Sequence, residues 1–177
     1  MTEWMLSESE GYDLLSKYGI PTPKYRIVTR AEDAGSAAEA IGFPVVMKII
    51  SPDIVHKSDA GGVIVGIGTK EAAQSAFNQI VANARAYNQN ADIHGVIVEN
   101  QAAPGLELII GGKTDPTFGK VITFGIGGTL VELMKDVTLR ILPIDEDEIR
   151  KMVTDIDSYP LITGYRGSKP KDEECLI

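Results

Sequence analysis

The sequence predicts a mixed α/β fold, α+β in its details, and three observations carry that prediction. Helical and strand patterns alternate from about residue 25 to residue 100. Beyond residue 105 the strand patterns crowd together without helices between them, and glycine-rich loops interrupt both stretches. The 177 residues are 44% hydrophobic and 24% charged, enough to bury an ordinary core without a metal or disulfide staple.

Residues 7 to 19 (SESEGYDLLSKYG) read as a first helix. Ser7 or Ser9 is its cap, and Leu14, Leu15 and Tyr18 have the spacing of a buried face. Gly19, Pro21 and Pro23 end it. Tyr25 to Val28 is a short strand, and a second helix over 31 to 41 follows, capped by Thr29. Val45 to Ile50 is an apolar strand broken only by Lys48. A polar loop, HKSDAGG, leads to a strand over Val63 to Ile67, and Thr69 or Lys70 opens a helix to about Tyr87. Gly95 to Glu99 is the next strand. Leu106 to Gly111 and Lys120 to Phe124 are two strands joined by turn formers. Val131 to Ile141 is strand-like, Asp145 caps a helix to Ile156, and the tail from Tyr159 reads as irregular, ending in the start of a helix.

The formal charge of -8 argues against general nucleic-acid binding, which needs a basic surface. It leaves room for one nucleotide held by a few convergent cations and N–H groups. The only cysteine, Cys175, permits no internal disulfide and suits a reducing compartment, as an incidental thiol. The N-terminus has neither the basic nor the apolar region of a signal peptide, and no apolar run approaches a bilayer's thickness. The expectation is a cytoplasmic protein without a membrane span.

Lys48 is the most informative residue. A lysine inside an apolar strand snorkels to water, pairs with a carboxylate or serves a ligand. The loop behind it supplies Lys57, Ser58 and the N–H groups of Gly61 and Gly62, where an anion could approach without a Cβ in the way; a tight turn of the same composition explains them equally well. The spacing matches neither a Walker loop nor a dinucleotide fingerprint. His56, just ahead of the loop, could be a base, a phosphate ligand, a phosphorylated nucleophile or an exposed capping residue. Glu99 and Glu107 flank the 100–105 loop, where carboxylates accept ribose hydroxyls or an adenine amino group, or serve as rim charges. Arg140, between Leu139 and Ile141, is the least ordinary of a cluster with Glu132, Lys135 and Asp136, since guanidinium grips phosphate. His94 reads as structural.

Four stretches then carry a resemblance: LLSKYGIPTPKYRIVT, AIGFPVVMKIISPDIVHKSDAGGV, the run from VIVENQAAPGLELIIGG to RILPI, and YPLITGYRG. Over residues 10 to 168 the chain resembles the ATP-grasp domain of ADP-forming acyl-CoA (acetyl-CoA) synthetases. The resemblance implies two small α+β lobes with mixed sheets, at about 25–95 and 96–170. It implies ATP or ADP with Mg²⁺ as ligands, and a CoA-binding subunit or domain as partner in a hetero-oligomer. Lys48 matches the lysine that holds nucleotide phosphates, and Ser58 to Gly62 match the flexible cover above them. Glu99, Asn100 and Gln101 match the adenine hinge, Glu107 a ribose-binding carboxylate, and His56 a transiently phosphorylated relay. Arg140 would help to neutralise the transferring group. Family members continue into an acidic strand motif that ligates Mg²⁺, whereas this sequence stops at DEECLI. The expectation is a truncated chain, or a segment supplied by another chain. The alternative function is the ATP-grasp module of a multidomain protein acetyltransferase, acting in regulation or assembly.

Overall fold

The computed structural model describes residues 6–128 and 135–177, which fall into two compact units, 1–103 and 104–177. The first unit is built from α1 (Glu8–Lys17), β1 (Tyr25–Val28), α2 (Ala31–Ile41), β2 (Val45–Ile50), β3 (Val63–Ile67), α3 (Lys70–Tyr87) and β4 (Gly95–Asn100). Its strands lie in the order β1-β4-β2-β3, and every neighbouring pair is antiparallel.

That differs from the mixed sheets expected, and the topology gives the reason. The helical crossovers β1-α2-β2 and β3-α3-β4 do join strands that run parallel to each other. Each leaves one strand position between them, and an oppositely directed strand fills it. A sequence shows the crossover but not the inserted strand.

The core of this unit lies between the sheet and the pair α2 and α3. Val45, Met47, Ile49, Val96 and Val98 come from the central strands, and Ala34, Ala38, Ala73, Phe77, Ile80 and Ala84 from the helices. Small residues on α2 let the helices approach closely; a Cβ on Gly35 would lie 3.0 Å from the Cβ of Lys70. Thr69 caps α3 by accepting from the Ala72 N–H. The cap of α2 is Arg30 rather than Thr29; its side chain makes no capping bond and donates instead to the Asp33 carboxylate.

Helix α1 starts as its sequence suggests, with Ser7 and Glu10 forming a reciprocal capping box. Its expected apolar face is not buried. Leu14, Leu15 and Tyr18 are all exposed, and the helix buries no residue fully. Periodicity shows that a helix has an apolar side, not that anything covers it.

The second unit carries a three-stranded antiparallel sheet, β5 (Leu108–Asp115), β6 (Gly119–Ile126) and β7 (Val137–Ile141), in that order. Asp115 tightens the β5–β6 turn by accepting from the N–H groups of Thr117 and Phe118. One sheet face packs on α4 (Glu146–Thr154), with Phe124, Met152, Val153, Ile156 and Ile162 as its buried cluster. The tail, expected to be irregular, forms α5 (Tyr159–Thr163) and a final 3₁₀ turn (Glu174–Leu176). Asp136 fixes the entry to α5 by accepting from the backbone N–H groups of Asp157 and Ser158 and from the Ser158 hydroxyl. Residues 131–134 of the strand-like segment, with Glu132, lie outside the described residues. No described helix is long and apolar enough to cross a membrane.

Candidate functional site

β2 is a central strand, and Lys48 opposes Ile97 of β4 and Val63 of β3. Its side chain leaves the sheet on the face away from the core. There it meets two carboxylates, Glu99 from the end of β4 and Glu8 from the first turn of α1, the latter at 2.6 Å. Glu99 is almost fully enclosed, its side chain 6% exposed, while Lys48 and Glu8 each keep 22%. Tyr12, one helical turn beyond Glu8, donates its hydroxyl towards both Glu99 at 2.9 Å and Glu8 at 3.0 Å. A second tyrosine, Tyr25, stacks at a tilt on Tyr12, with ring centres 5.5 Å apart, and donates to Asp13.

The electrostatics follow from this enclosure. Burial pushes the Lys48 ammonium towards its neutral form, but bonds and charge from Glu8 and Glu99 outweigh it and hold the pKa above the ordinary lysine value. Burial also raises Glu8, yet Lys48, Tyr12 and Lys57 together hold its carboxyl below the usual range. Burial and the bond to Glu99 push the Tyr12 hydroxyl far above its ordinary value, so it stays a donor. The cluster is therefore an ion-paired array of two carboxylates around the Lys48 ammonium.

Ile54, just before the HKSDAGG loop, and Ala60 within it are both buried and anchor it. Between them His56 is exposed, beside exposed Val55. Lys57 points back towards Glu8, its Nζ 3.9 Å from Oε2. The N–H groups of Gly61 and Gly62 are not presented to an anion, because they donate within the loop, to Ser58 O at 3.0 Å and Lys57 O at 2.7 Å. The glycines answer to packing instead. A Cβ on Gly62 would lie 2.6 Å from Ile49 Cγ2, and Gly61 adopts φ +59° under the side chain of Asn83. Ser58 is exposed on this closed turn.

Past Glu99 the chain is also tied down. Asn100 N–H donates to Lys24 O and Gln101 N–H to Pro44 O. The Gln101 side chain accepts from the Gly66 N–H, where β3 carries a positive φ of 72°. Among the described residues, none accepts from the N–H groups of Ala102 or Ala103.

Glu107 and Arg140 belong to the second unit. The Glu107 backbone carbonyl accepts from the Gly127 N–H at 2.7 Å, and its carboxylate lies where a Cβ on Gly128 would stand. Arg140 reaches from β7 to two carboxylates of the α4 region, Asp155 and, at 3.4 Å, Glu148. Its guanidinium is thus committed to an ion-pair network. No group of three or more His, Cys, Asp or Glu side chains among the described residues could hold a metal ion.

Lys48 thus lies on a central strand beside an enclosed carboxylate, with the histidine-bearing loop next to it. The family model described as "ATP-grasp domain" matches residues 2–177.

The chain belongs to the ATP-grasp family.

It is 44% identical over 171 residues to the beta subunit of ADP-forming acetate–CoA ligase I from Pyrococcus furiosus, which covers 97% of this chain and 74% of that subunit. Among solved structures it is similar to the dinucleotide-forming acetyl-coenzyme A synthetase 1 of Ca. Korarchaeum cryptofilum, in complex with coenzyme A, Ca-AMPCP and HgCl+. That match has a TM-score of 0.93 and 43% identity, over 97% of this chain and 75% of the other. The same enzyme with coenzyme A and Mg-AMPPCP, its phosphohistidine segment pointing towards the nucleotide binding site, matches with a TM-score of 0.80 and 40% identity, over 97% and 73%. These relatives are a ligase subunit and a CoA synthetase, and the acetyltransferase-module alternative is not favoured.

Sequence reasoning missed Glu8 and Tyr12. They stand 40 and 87 residues from their partners Lys48 and Glu99, and acidic residues in a first helical turn ordinarily serve the helix dipole. A charge that must be neutralised in an apolar strand was the available signal, but it does not say from where.

Proposed function

We propose that the chain is the nucleotide-binding part of an ADP-forming acyl-CoA synthetase, and that it relays a phosphoryl group between ADP and a partner's active site through His56. The observation that carries the reading is Lys48, the one charge in an apolar central strand, held half-buried beside enclosed Glu99 and next to the loop that exposes His56.

Lys48 binds the phosphates and, with Lys57, offsets the charge on the transferring group. An exposed histidine suits the relay, since a ring nitrogen must reach one phosphate donor and then another acceptor. In the ATP-consuming direction that nitrogen forms a bond to the γ-phosphorus as the bond to the ADP oxygen breaks, and the ring loses its remaining N–H proton to solvent. The reverse step returns the phosphoryl group to ADP. Glu99 with the segment from Asn100 to Gln101 supports the adenine end; because the N–H groups of Asn100 and Gln101 are spent, the next donors, with no acceptor among the described residues, are those of Ala102 and Ala103. Glu107 serves the ribose. Mg²⁺ arrives on the nucleotide's phosphates as their counter-ion. The second participant is a CoA-binding subunit or domain in a hetero-oligomer, in the cytoplasm.

Calorimetric titration with ADP and with Mg²⁺-ADP tests the reading. Binding that is present in the wild type and lost in Lys48→Ala supports it. Equal binding by the two proteins would remove Lys48 from the site.

A further inference from the structure

Helix α1 reaches the phosphate-binding lysine from outside the sheet, and it does so with a carboxylate. One oxygen of Glu8 is 2.6 Å from Lys48 Nζ, and the other is 3.9 Å from Lys57 Nζ. A single side chain therefore sits between the two ammonium groups that a polyphosphate would use. Counting Glu99, two carboxylates face two lysines, so the cluster carries no net charge to attract an anion. Phosphate oxygens at Lys48 would also be like-charge neighbours of Glu8.

The second observation concerns how α1 is held. It buries no residue fully, and its Leu14 and Leu15 are 42% and 39% exposed. Besides the tilted stack of Tyr12 on Tyr25, its attachment runs through polar groups: Glu8 to Lys48, Tyr12 to Glu99, and Asp13 to Tyr25. Releasing such a helix forfeits little apolar burial, unlike the release of α2 or α3, whose faces form the core.

We propose that Glu8 is an internal competitor for the nucleotide's phosphates, a displaceable carboxylate that occupies Lys48 and Lys57 and sets nucleotide affinity. Nucleotide binding exchanges Glu8 for phosphate at both lysines and loosens α1. The ion pair between Glu8 and Lys57 also ties the His56 loop to α1, so the same exchange frees that loop. This rests on the assignment of Lys48 to phosphate binding.

The test is ADP affinity of the full chain by calorimetry, for wild type, Glu8→Gln and Lys48→Ala, with far-UV circular dichroism confirming that each is folded. Gln keeps the length and the helix but removes the charge. The proposal expects Glu8→Gln to bind ADP roughly fivefold to tenfold more tightly, the scale of one partly exposed ionic contact. It also expects amide exchange over residues 8–17 of the wild type to speed up when ADP is added. If wild type binds and Lys48→Ala does not, while Glu8→Gln binds equally or more weakly, Glu8 is a positioning or structural group and this proposal alone falls. If wild type binds no ADP, the nucleotide reading falls and takes this one with it. An unfolded Glu8→Gln is replaced by the exchange measurement, where slower exchange of α1 on ADP addition overturns the proposal.

Discussion

Replacing Lys48 with methionine separates its structural role from its role in binding. Methionine fills similar volume in the strand but removes the cation between Glu8 and Glu99, leaving only Lys57, 3.9 Å from Glu8, to offset them. Removing one partner of a fully buried pair costs about 3 to 5 kcal/mol, because the other charge stays desolvated. Here Lys48 and Glu8 each keep 22% exposure, and Tyr12 continues to donate to both carboxylates, so the expected loss at pH 7 is about 2 to 4 kcal/mol. The pH dependence is the sharper signature. In the wild type the Glu8 contribution is present above its unfolded value of 4.5 and is lost as pH falls through its lower folded value. The Lys48 contribution is fully present below 10.5 and is lost only as pH rises through its higher folded value. Between those limits the cluster gives the wild type a flat profile. In the variant the paired carboxylates repel, and one takes up a proton more readily folded than unfolded. Acidification then stabilises the variant, and its deficit shrinks between pH 7 and pH 5. Urea unfolding followed by circular dichroism at both pH values measures this. A deficit below about 0.5 kcal/mol, or one that does not change with pH, would refute the picture of an enclosed charge cluster.

Three further outcomes follow from the geometry. Gly62→Ala drives a Cβ against Ile49 Cγ2 at 2.6 Å and Lys57 O at 3.0 Å, and thermal unfolding should show a loss of about 1 to 3 kcal/mol. Gly128→Ala displaces the Glu107 carboxylate at a residue with φ +64°; calorimetry should show weaker ADP binding and a smaller preference for ADP over 2′-deoxy-ADP. His56→Asn, at an exposed position, should leave ADP affinity and the melting temperature unchanged.

Most of the first unit was legible because its signals are local. Val45 to Ile50 is a strand by its apolar run, and Thr69 caps α3 as its position suggests. What stayed hidden was set by distance in sequence. The partners of Lys48 and Glu99 come from α1, whose pattern advertised Leu14 and Leu15 as a buried face and said nothing of Glu8 and Tyr12 as site residues. The glycines of the HKSDAGG loop were legible as a turn but ambiguous in purpose. Only the bonds to Ser58 and Lys57 show that their N–H groups are already occupied. Arg140 between two apolar neighbours suggested a phosphate grip, but the carboxylates that hold it, Glu148 and Asp155, lie on and just after a later helix. The tail hid its helix behind Pro160, which is tolerated because it lies in the first turn.

The central claim is that phosphate passes through His56, and labelling with γ-phosphate-labelled ATP tests it most directly. The account predicts an acid-labile, alkali-stable label on the wild-type chain that ADP removes, and no label on His56→Asn despite intact ADP binding. An equal label on His56→Asn, or none on a wild type that binds ATP, would contradict it.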